Sequence, residues 1–161
     1  DHHLGILRLL AERKKLLHGQ IEPIMVIAPR NLKDFLEEYK LVDPHIRDSY
    51  VHMDCEDIST VRPTYRISEE RHHQNMTTHD RLRTELGITS ILAIPVRHCA
   101  HSYAVELRGT PFGTLAYSGD CRPSRNFAEV CLNADILIHE ATFTDGMEAE
   151  ASLKRHSTVG E

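Results

Sequence analysis

The sequence lacks three features, each of which would have pointed to a particular class of protein. Its four cysteines are widely spaced and form no CxxC pair, which is poor evidence for a zinc knuckle or a disulfide framework, so reduced thiols are the simpler account. No apolar run approaches a membrane span and no charged-then-apolar leader opens the chain, which predicts neither a transmembrane helix nor a signal peptide. The net charge of −5 argues against a uniformly basic nucleic-acid surface but does not exclude local basic patches.

The composition is otherwise that of an ordinary globular domain with an unusual number of histidines. Apolar residues make up 40% and charged residues 27% of the 161 positions, which is typical of one domain that buries a core without disulfides. The twelve histidines are a generous supply for a chain of this size. Their positions relative to the predicted helices and strands are therefore the first place to look for a site.

The N-terminal part predicts alternating helices and strands. Leucines at near-helical spacing, with basic residues between them, indicate an amphipathic helix over residues 4–17 that Gly19 ends. A continuous apolar run, Ile24 to Ala28, indicates a buried strand, and residues 32–39 return to a helical period. This order is typical of a layered α/β domain.

Regular periodicity is lost from residue 42 to about 78. We predict an irregular insertion there, with a strand near Ser49 to Met53. The histidines within it or at its edge stand in polar sequence and are predicted to be surface residues: His72, His73 and His79.

The second half of the chain predicts consecutive strands followed by sharp turns and short helices. A hairpin is expected between the second and third of these strands. The predicted strands are 90–98, 102–107, 114–117 and a buried strand at 136–138, and the predicted helices are 126–133 and 146–155.

Ionisable residues recur at the ends of these predicted elements. They are Asp1 and His2 before the first helix, His98, Asp120, His139 and Glu140 after strands, and His156 after the last helix. Strand ends on one edge of a layered sheet converge, so these residues are expected to form one cluster. Imidazole nitrogens and carboxylate oxygens without paired thiolates suit Zn²⁺ or Mn²⁺ in a catalytic site. Two such ions that share a carboxylate and a water would provide a hydroxide nucleophile for displacement at phosphorus.

Each of these residues also has a simpler interpretation when it is considered alone. Asp120 could cap the turn that follows its strand. His98 could be a core histidine bonded to backbone, and His2 a solvated residue at a helix start. Glu140 could be a helix-cap carboxylate and His156 a surface histidine. Only the ordered set is specific.

Five short motifs carry that order. They are Asp-His before a helix, Val-x-His at 96–98, Ser-Gly-Asp at 118–120, His-Glu-Ala-Thr at 139–142 and His-Ser-Thr at 156–158. The set resembles the catalytic half of tRNase Z, the tRNA 3′-processing endonuclease of the metallo-β-lactamase superfamily. Ser-Gly-Asp is shared by the whole superfamily, whereas the last two motifs at this spacing are specific to the tRNase Z group. Cys99 and His101 after His98 are similar to the long eukaryotic form.

The resemblance implies an α/β metallo-β-lactamase-like αββα sandwich. Residues 1–161 would form a partial catalytic domain, with the insertion at 42–78 as the least similar part. The opening strands and the last ligand-bearing segment of the family would lie outside this chain, which would leave roughly four of seven metal ligands. We therefore expect exposed sheet edges, weak metal binding and no useful activity unless those segments are supplied.

The same resemblance implies the role of each site residue. The metal ligands would be Asp1, His2, His98 and Asp120, with Asp120 bridging two Zn²⁺ ions for which Mn²⁺ is a possible substitute. Glu140 would orient His156, which would protonate the leaving 3′-oxygen. Asp1 is counted among the catalytic residues as well, and His139 is expected to be structural.

The implied substrate is precursor tRNA, cleaved after the discriminator nucleotide to leave a 3′-hydroxyl on the tRNA and a 5′-phosphate on the trailer. Long-form relatives work in the nucleus and in mitochondria, and the resemblance implies those compartments without choosing between them. It also implies no membrane association, and either a homodimer or pairing with an N-terminal pseudo-half of the same protein.

Two other interpretations stay open. A glyoxalase-type thioesterase or another nuclease of the superfamily would share the metal ligands but has no reason to keep Glu140 and His156. A decayed site that serves as a scaffold for RNA or protein has no reason to keep either set, and the presence of both argues against it.

Overall fold

The structure is a computed structural model that describes residues 3–17, 22–61 and 68–161. The chain divides into two units, residues 1–55 and 56–161, and each is described by itself. The predicted site residues Asp1 and His2 lie outside the described residues, as does Gly19. Among the residues that are described, no helix is long and apolar enough to span a membrane.

The first unit contains a helix followed by a strand–helix–strand motif. In chain order these are α1 (Gly5–Leu16), β1 (Ile24–Ala28), α2 (Arg30–Val42) and β2 (Tyr50–Asp54). β1 and β2 are parallel, an arrangement that requires a crossover connection such as α2. Each helix buries one leucine completely against the strands, Leu10 from α1 and Leu36 from α2. The predicted helices and both predicted strands of this unit are confirmed.

The prediction of irregular structure up to residue 78 is wrong over its last part. A third helix, α3, runs over Glu69–Leu86 and is 18 residues long. The Ser68 hydroxyl caps its first turn by accepting from the Arg71 N–H, and Gly87 ends it at a φ of 71° in the left-handed region that glycine adopts freely. Both ends of the helix thus carry ordinary helix signals.

The interior of α3 explains why the helix was not predicted. Its buried residues are Asn75, Thr78 and Leu82, which lie on one helical face, but two of the three are polar. Because two of the residues on the buried face are polar, the sequence shows no apolar repeat at helical spacing, although the helix does bury one face. The predicted surface positions of the three histidines are confirmed, because His72, His73 and His79 are all exposed.

The second unit is organised around a four-stranded sheet. Three consecutive antiparallel strands are β3 (Ser90–Pro95), β4 (Tyr103–Thr110) and β5 (Gly113–Tyr117), and β6 (Ile136–Ile138) pairs with β5 in parallel. The helices α4 (Arg125–Val130) and α5 (Glu148–Lys154) precede and follow β6. The predicted hairpin between β4 and β5 is confirmed.

The core of this unit joins the sheet to α4, with Ile94, Ala104 and Ala116 packed against Phe127 and Cys131. The prediction that residues 136–138 form a buried strand is only half right. The strand is present, but Leu137 is 60% and Ile138 50% exposed. The reason is that β6 is the last strand in the order of the described sheet, and an apolar run does not by itself distinguish an edge strand from a central one.

Candidate active site

The candidate site lies where β5 and β6 end. These strands are parallel, so their carboxyl ends lie at the same edge of the sheet and the residues that follow them meet there. Ser118 joins the two chain segments directly: its N–H donates to the Ile138 carbonyl at 3.0 Å, and its hydroxyl accepts from the Glu140 N–H at 2.9 Å. Ser118 is completely buried. Its two hydrogen bonds hold the turn that carries Asp120 against the segment that carries Glu140.

Three side chains at this edge form a group that could hold a metal ion. His98, Asp120 and His156 each offer one ligand atom, and these atoms lie within 4.8 Å of one another. The Nε2 atom of His98 is 4.0 Å from Oδ2 of Asp120, and the His98 and His156 rings are 4.7 Å apart between centroids. Two imidazole nitrogens with one carboxylate oxygen are a donor set that zinc accepts, so the residues present fit a zinc ion.

The orientation of His98 is set by a backbone carbonyl. Its Nδ1 atom lies 3.0 Å from the Arg155 carbonyl oxygen. A carbonyl only accepts, so this contact places the proton on Nδ1 and leaves the Nε2 lone pair on the side of Asp120. That tautomer is the one a metal ligand requires.

Beside this group, Glu140 and His156 form a hydrogen-bonded pair. His156 Nδ1 donates to Glu140 Oε1 at 2.8 Å, and the Glu140 side chain is only 8% exposed. The same carboxylate accepts from three backbone N–H groups, those of Cys121 at 2.7 Å, Thr142 at 3.1 Å and Ser157 at 3.1 Å. Glu140 therefore connects the Ser-Gly-Asp turn to the loop that carries His156.

These contacts determine the charge of Glu140. Burial disfavours the charged form and by itself would raise the pKa of this carboxyl. The hydrogen bonds from the Ser157 and Cys121 backbone, the His156 ring and the Thr142 hydroxyl outweigh burial and lower the pKa from 4.5 to about 2. Glu140 is consequently a carboxylate at neutral pH, with the ability to orient His156 and to stabilise its imidazolium form.

The structure thus brings together four of the predicted site residues, His98, Asp120, Glu140 and His156, in one unit of the chain. It separates His139 from them: this ring is exposed and its Nδ1 contacts the Glu140 main-chain oxygen at 2.7 Å.

Sequence reasoning missed the residues that support this site. Ser157 donates from its hydroxyl to the Cys121 carbonyl at 2.7 Å. Arg122 donates to the His156 carbonyl at 2.5 Å and forms an ion pair with Glu161. Each of these contacts depends on the path of the backbone, so the spacing of residues in the sequence does not predict it. The available signal was that Ser157 lies inside a recognised motif and Arg122 lies two residues after one.

Comparisons with known proteins show what the chain as a whole is similar to. No family model matches the chain. All of the chain is similar to ribonuclease Z, mitochondrial, of Drosophila melanogaster at 32% identity, to ribonuclease Z 1 of Schizosaccharomyces pombe at 31%, and to zinc phosphodiesterase ELAC protein 2 of Pan troglodytes at 31%. The chain spans 20%, 19% and 19% of these relatives, about a fifth of their length.

Among solved structures, a long-form RNase Z from yeast superimposes with a TM-score of 0.80 over 97% of this chain and 24% of that one, at 21% identity. The fold is therefore the α/β metallo-β-lactamase-like fold that the motifs predict. The chain is similar over its whole length to a segment of proteins named ribonuclease Z, and the resemblance inferred from the five motifs is confirmed.

Proposed function

We propose that this chain carries part of the active site of a zinc-dependent tRNA 3′ endonuclease. The activity would remove the 3′ trailer from precursor tRNA by hydrolysing the phosphodiester after the discriminator nucleotide. One observation carries this proposal: the histidine of the Glu140–His156 pair is held by a carboxylate and belongs to the same group of three side chains, with His98 and Asp120, that could hold a metal ion. The names of the relatives, ribonuclease Z and zinc phosphodiesterase, support the substrate class and the metal.

The metal would be held by His98 and Asp120, with Asp1 and His2 assigned to the same centre by the motif resemblance. Bound zinc would activate a water molecule near neutral pH and would neutralise charge on the phosphoryl oxygens. A nearby cleft of about 770 Å³, bordered by Phe127, Glu140 and Arg125, provides room for part of the substrate.

His156 would supply the proton that the leaving group needs. Its Nδ1 is committed to Glu140, so the proton that moves is the one on Nε2, which passes to the 3′-oxygen of the tRNA as the phosphorus–oxygen bond breaks. Glu140 keeps its negative charge throughout, because its pKa of about 2 lies far below neutral pH. This assignment uses His156 as a general acid and not as one of the zinc ligands, although its ring lies close enough to His98 and Asp120 to be counted with them as a possible ligand group.

Replacing His156 by alanine tests the assignment. In the full-length protein, His156→Ala should lower the rate of precursor cleavage by about 100- to 10,000-fold, the usual contribution of a general acid. Bound zinc, measured by metal analysis, should be retained. The matched control is His72→Ala, which removes an exposed histidine of α3 and should leave both quantities unchanged.

The two possible failures of this test differ. Loss of zinc together with activity would make His156 a metal ligand. Unchanged cleavage would show that the pair is not used, and would favour another hydrolase of the same fold.

The proposal extends to compartment and assembly. The Drosophila relative and one from Arabidopsis thaliana are named mitochondrial, and we assign this protein to the same compartment, with the nucleus as a second site that rests on the motif resemblance alone. Pairing of this region with an N-terminal pseudo-half, or with a second copy, has the same basis.

A further inference from the structure

Two hydrogen bonds of opposite direction join residue 98 to residue 155. His98 donates from Nδ1 to the Arg155 carbonyl at 3.0 Å, and the Arg155 guanidinium donates from Nη1 to the His98 carbonyl at 2.7 Å. The backbone and side chain of each residue are thereby tied to the other. The next residue in the chain, His156, then packs its ring against the ring of His98.

The backbone at Arg155 has an unusual conformation. Arg155 is the residue that ends α5, and its φ of 61° and ψ of 40° lie in the left-handed region. A residue with a Cβ atom is strained in that region, whereas glycine adopts it freely and is the usual choice at the end of a helix. If this position served only to end the helix, glycine would be more favourable there than arginine. The side chain must therefore contribute something that offsets the strain.

We propose that Arg155 is a positioning residue that couples the metal ligand His98 to the proton donor His156. Its carbonyl fixes the tautomer of His98, and its guanidinium holds the main chain of His98 so that the ring stays aligned with that carbonyl. Because His156 follows directly, the same contact sets the distance between ligand and proton donor. The inference rests on the proposed function, since it requires that His98 bind a metal.

A glycine substitution separates this role from a purely structural one. Arg155→Gly keeps the carbonyl and relieves the left-handed strain, but it removes the guanidinium contact to the His98 carbonyl. In the full-length protein the melting temperature should stay the same or rise. Affinity for Co²⁺ should fall by about tenfold, the lower end of what loss of an outer-shell partner costs, and the visible absorption of bound Co²⁺ should change because the His98 ring is less well fixed.

Two further variants complete the experiment. Arg155→Lys keeps a donor within reach of the His98 carbonyl and should recover part of the lost affinity. Arg83→Ala removes an arginine of α3 whose side chain is 67% exposed and pairs with Asp80, and it should change neither affinity nor spectrum.

The outcomes that overturn the inference are distinct from those that overturn the proposed function. If the unmodified protein binds Co²⁺ and Arg155→Gly binds it with the same affinity and the same spectrum, Arg155 has only a structural role and the inference is wrong. If the unmodified protein binds no Co²⁺, the proposed metal site is wrong and the inference falls with it.

Discussion

Replacing Glu140 by alanine is expected to lower the free energy of unfolding by about 3 kcal/mol or more and to abolish cleavage. The substitution leaves the buried N–H groups of Cys121 and Ser157 without an acceptor, and each such loss costs roughly 1–3 kcal/mol. It also frees the His156 ring, whose orientation depends on the carboxylate. Urea unfolding of Glu140→Ala beside Glu129→Ala, which removes an exposed ion pair, measures the difference. The control should change stability by less than about 1 kcal/mol.

The lowered pKa of Glu140 leads to a prediction of how the free energy of unfolding depends on pH. Its pKa is about 2 in the folded protein and 4.5 ordinarily, so its stabilisation is complete above pH 4.5 and is lost as pH falls toward 2. The difference between the two values corresponds to about 3 kcal/mol. Glu140→Gln should be less stable at neutral pH and should lose less stability than the unmodified protein between pH 5 and pH 2. Parallel stability curves for the two proteins over that interval would show that Glu140 does not carry this effect.

The second large effect is expected from Asp120→Asn, which should lower zinc affinity by more than about 100-fold. Loss of a residue that only supports a ligand costs up to about 100-fold, and Asp120 is proposed to be a ligand itself. An amide is a weaker ligand than a carboxylate for a cation shared with imidazoles. Stability should change by no more than about 0.5 kcal/mol, since the Asp120 side chain is 35% exposed. Competition titration with a zinc chelator measures the affinity.

Asp80→Asn is the matched control for this substitution, because Asp80 is an exposed aspartate of α3 that pairs with Arg83 three residues along the same helix. Equal zinc affinity in Asp120→Asn and Asp80→Asn would remove Asp120 from the metal centre.

The elements that could be predicted from sequence are those whose buried face is apolar. Leu10 and Leu36 mark the inner faces of α1 and α2, and β3 and β6 of the second unit carry apolar runs. The helix α3 was missed because Asn75 and Thr78 occupy its buried face. The exposure of Leu137 was missed because periodicity reports apolar character and not what covers it.

The site was predictable in a different way, since the order of the motifs and the convergence of strand ends together placed His98, Asp120, Glu140 and His156 in one cluster. The interpretation of Glu140 as a helix-cap carboxylate is wrong, because the backbone N–H groups that it accepts from lie outside the helices. Its contact with the His156 ring is the geometry that the orienting role requires. The role of Arg155 was not predictable. It depends on a left-handed backbone conformation and on contacts to a main-chain carbonyl, for which the sequence has no signature.

The most direct test of the central claim is to map the ends produced when the full-length protein cleaves a 3′-extended precursor tRNA in the presence of Zn²⁺. The account predicts a single cut after the discriminator nucleotide, a 3′-hydroxyl on the tRNA, a 5′-phosphate on the trailer, and complete loss of the cut when zinc is chelated. Cleavage that survives chelation, or that leaves a cyclic phosphate on the tRNA, would contradict a metal-activated water and a proton-donating His156.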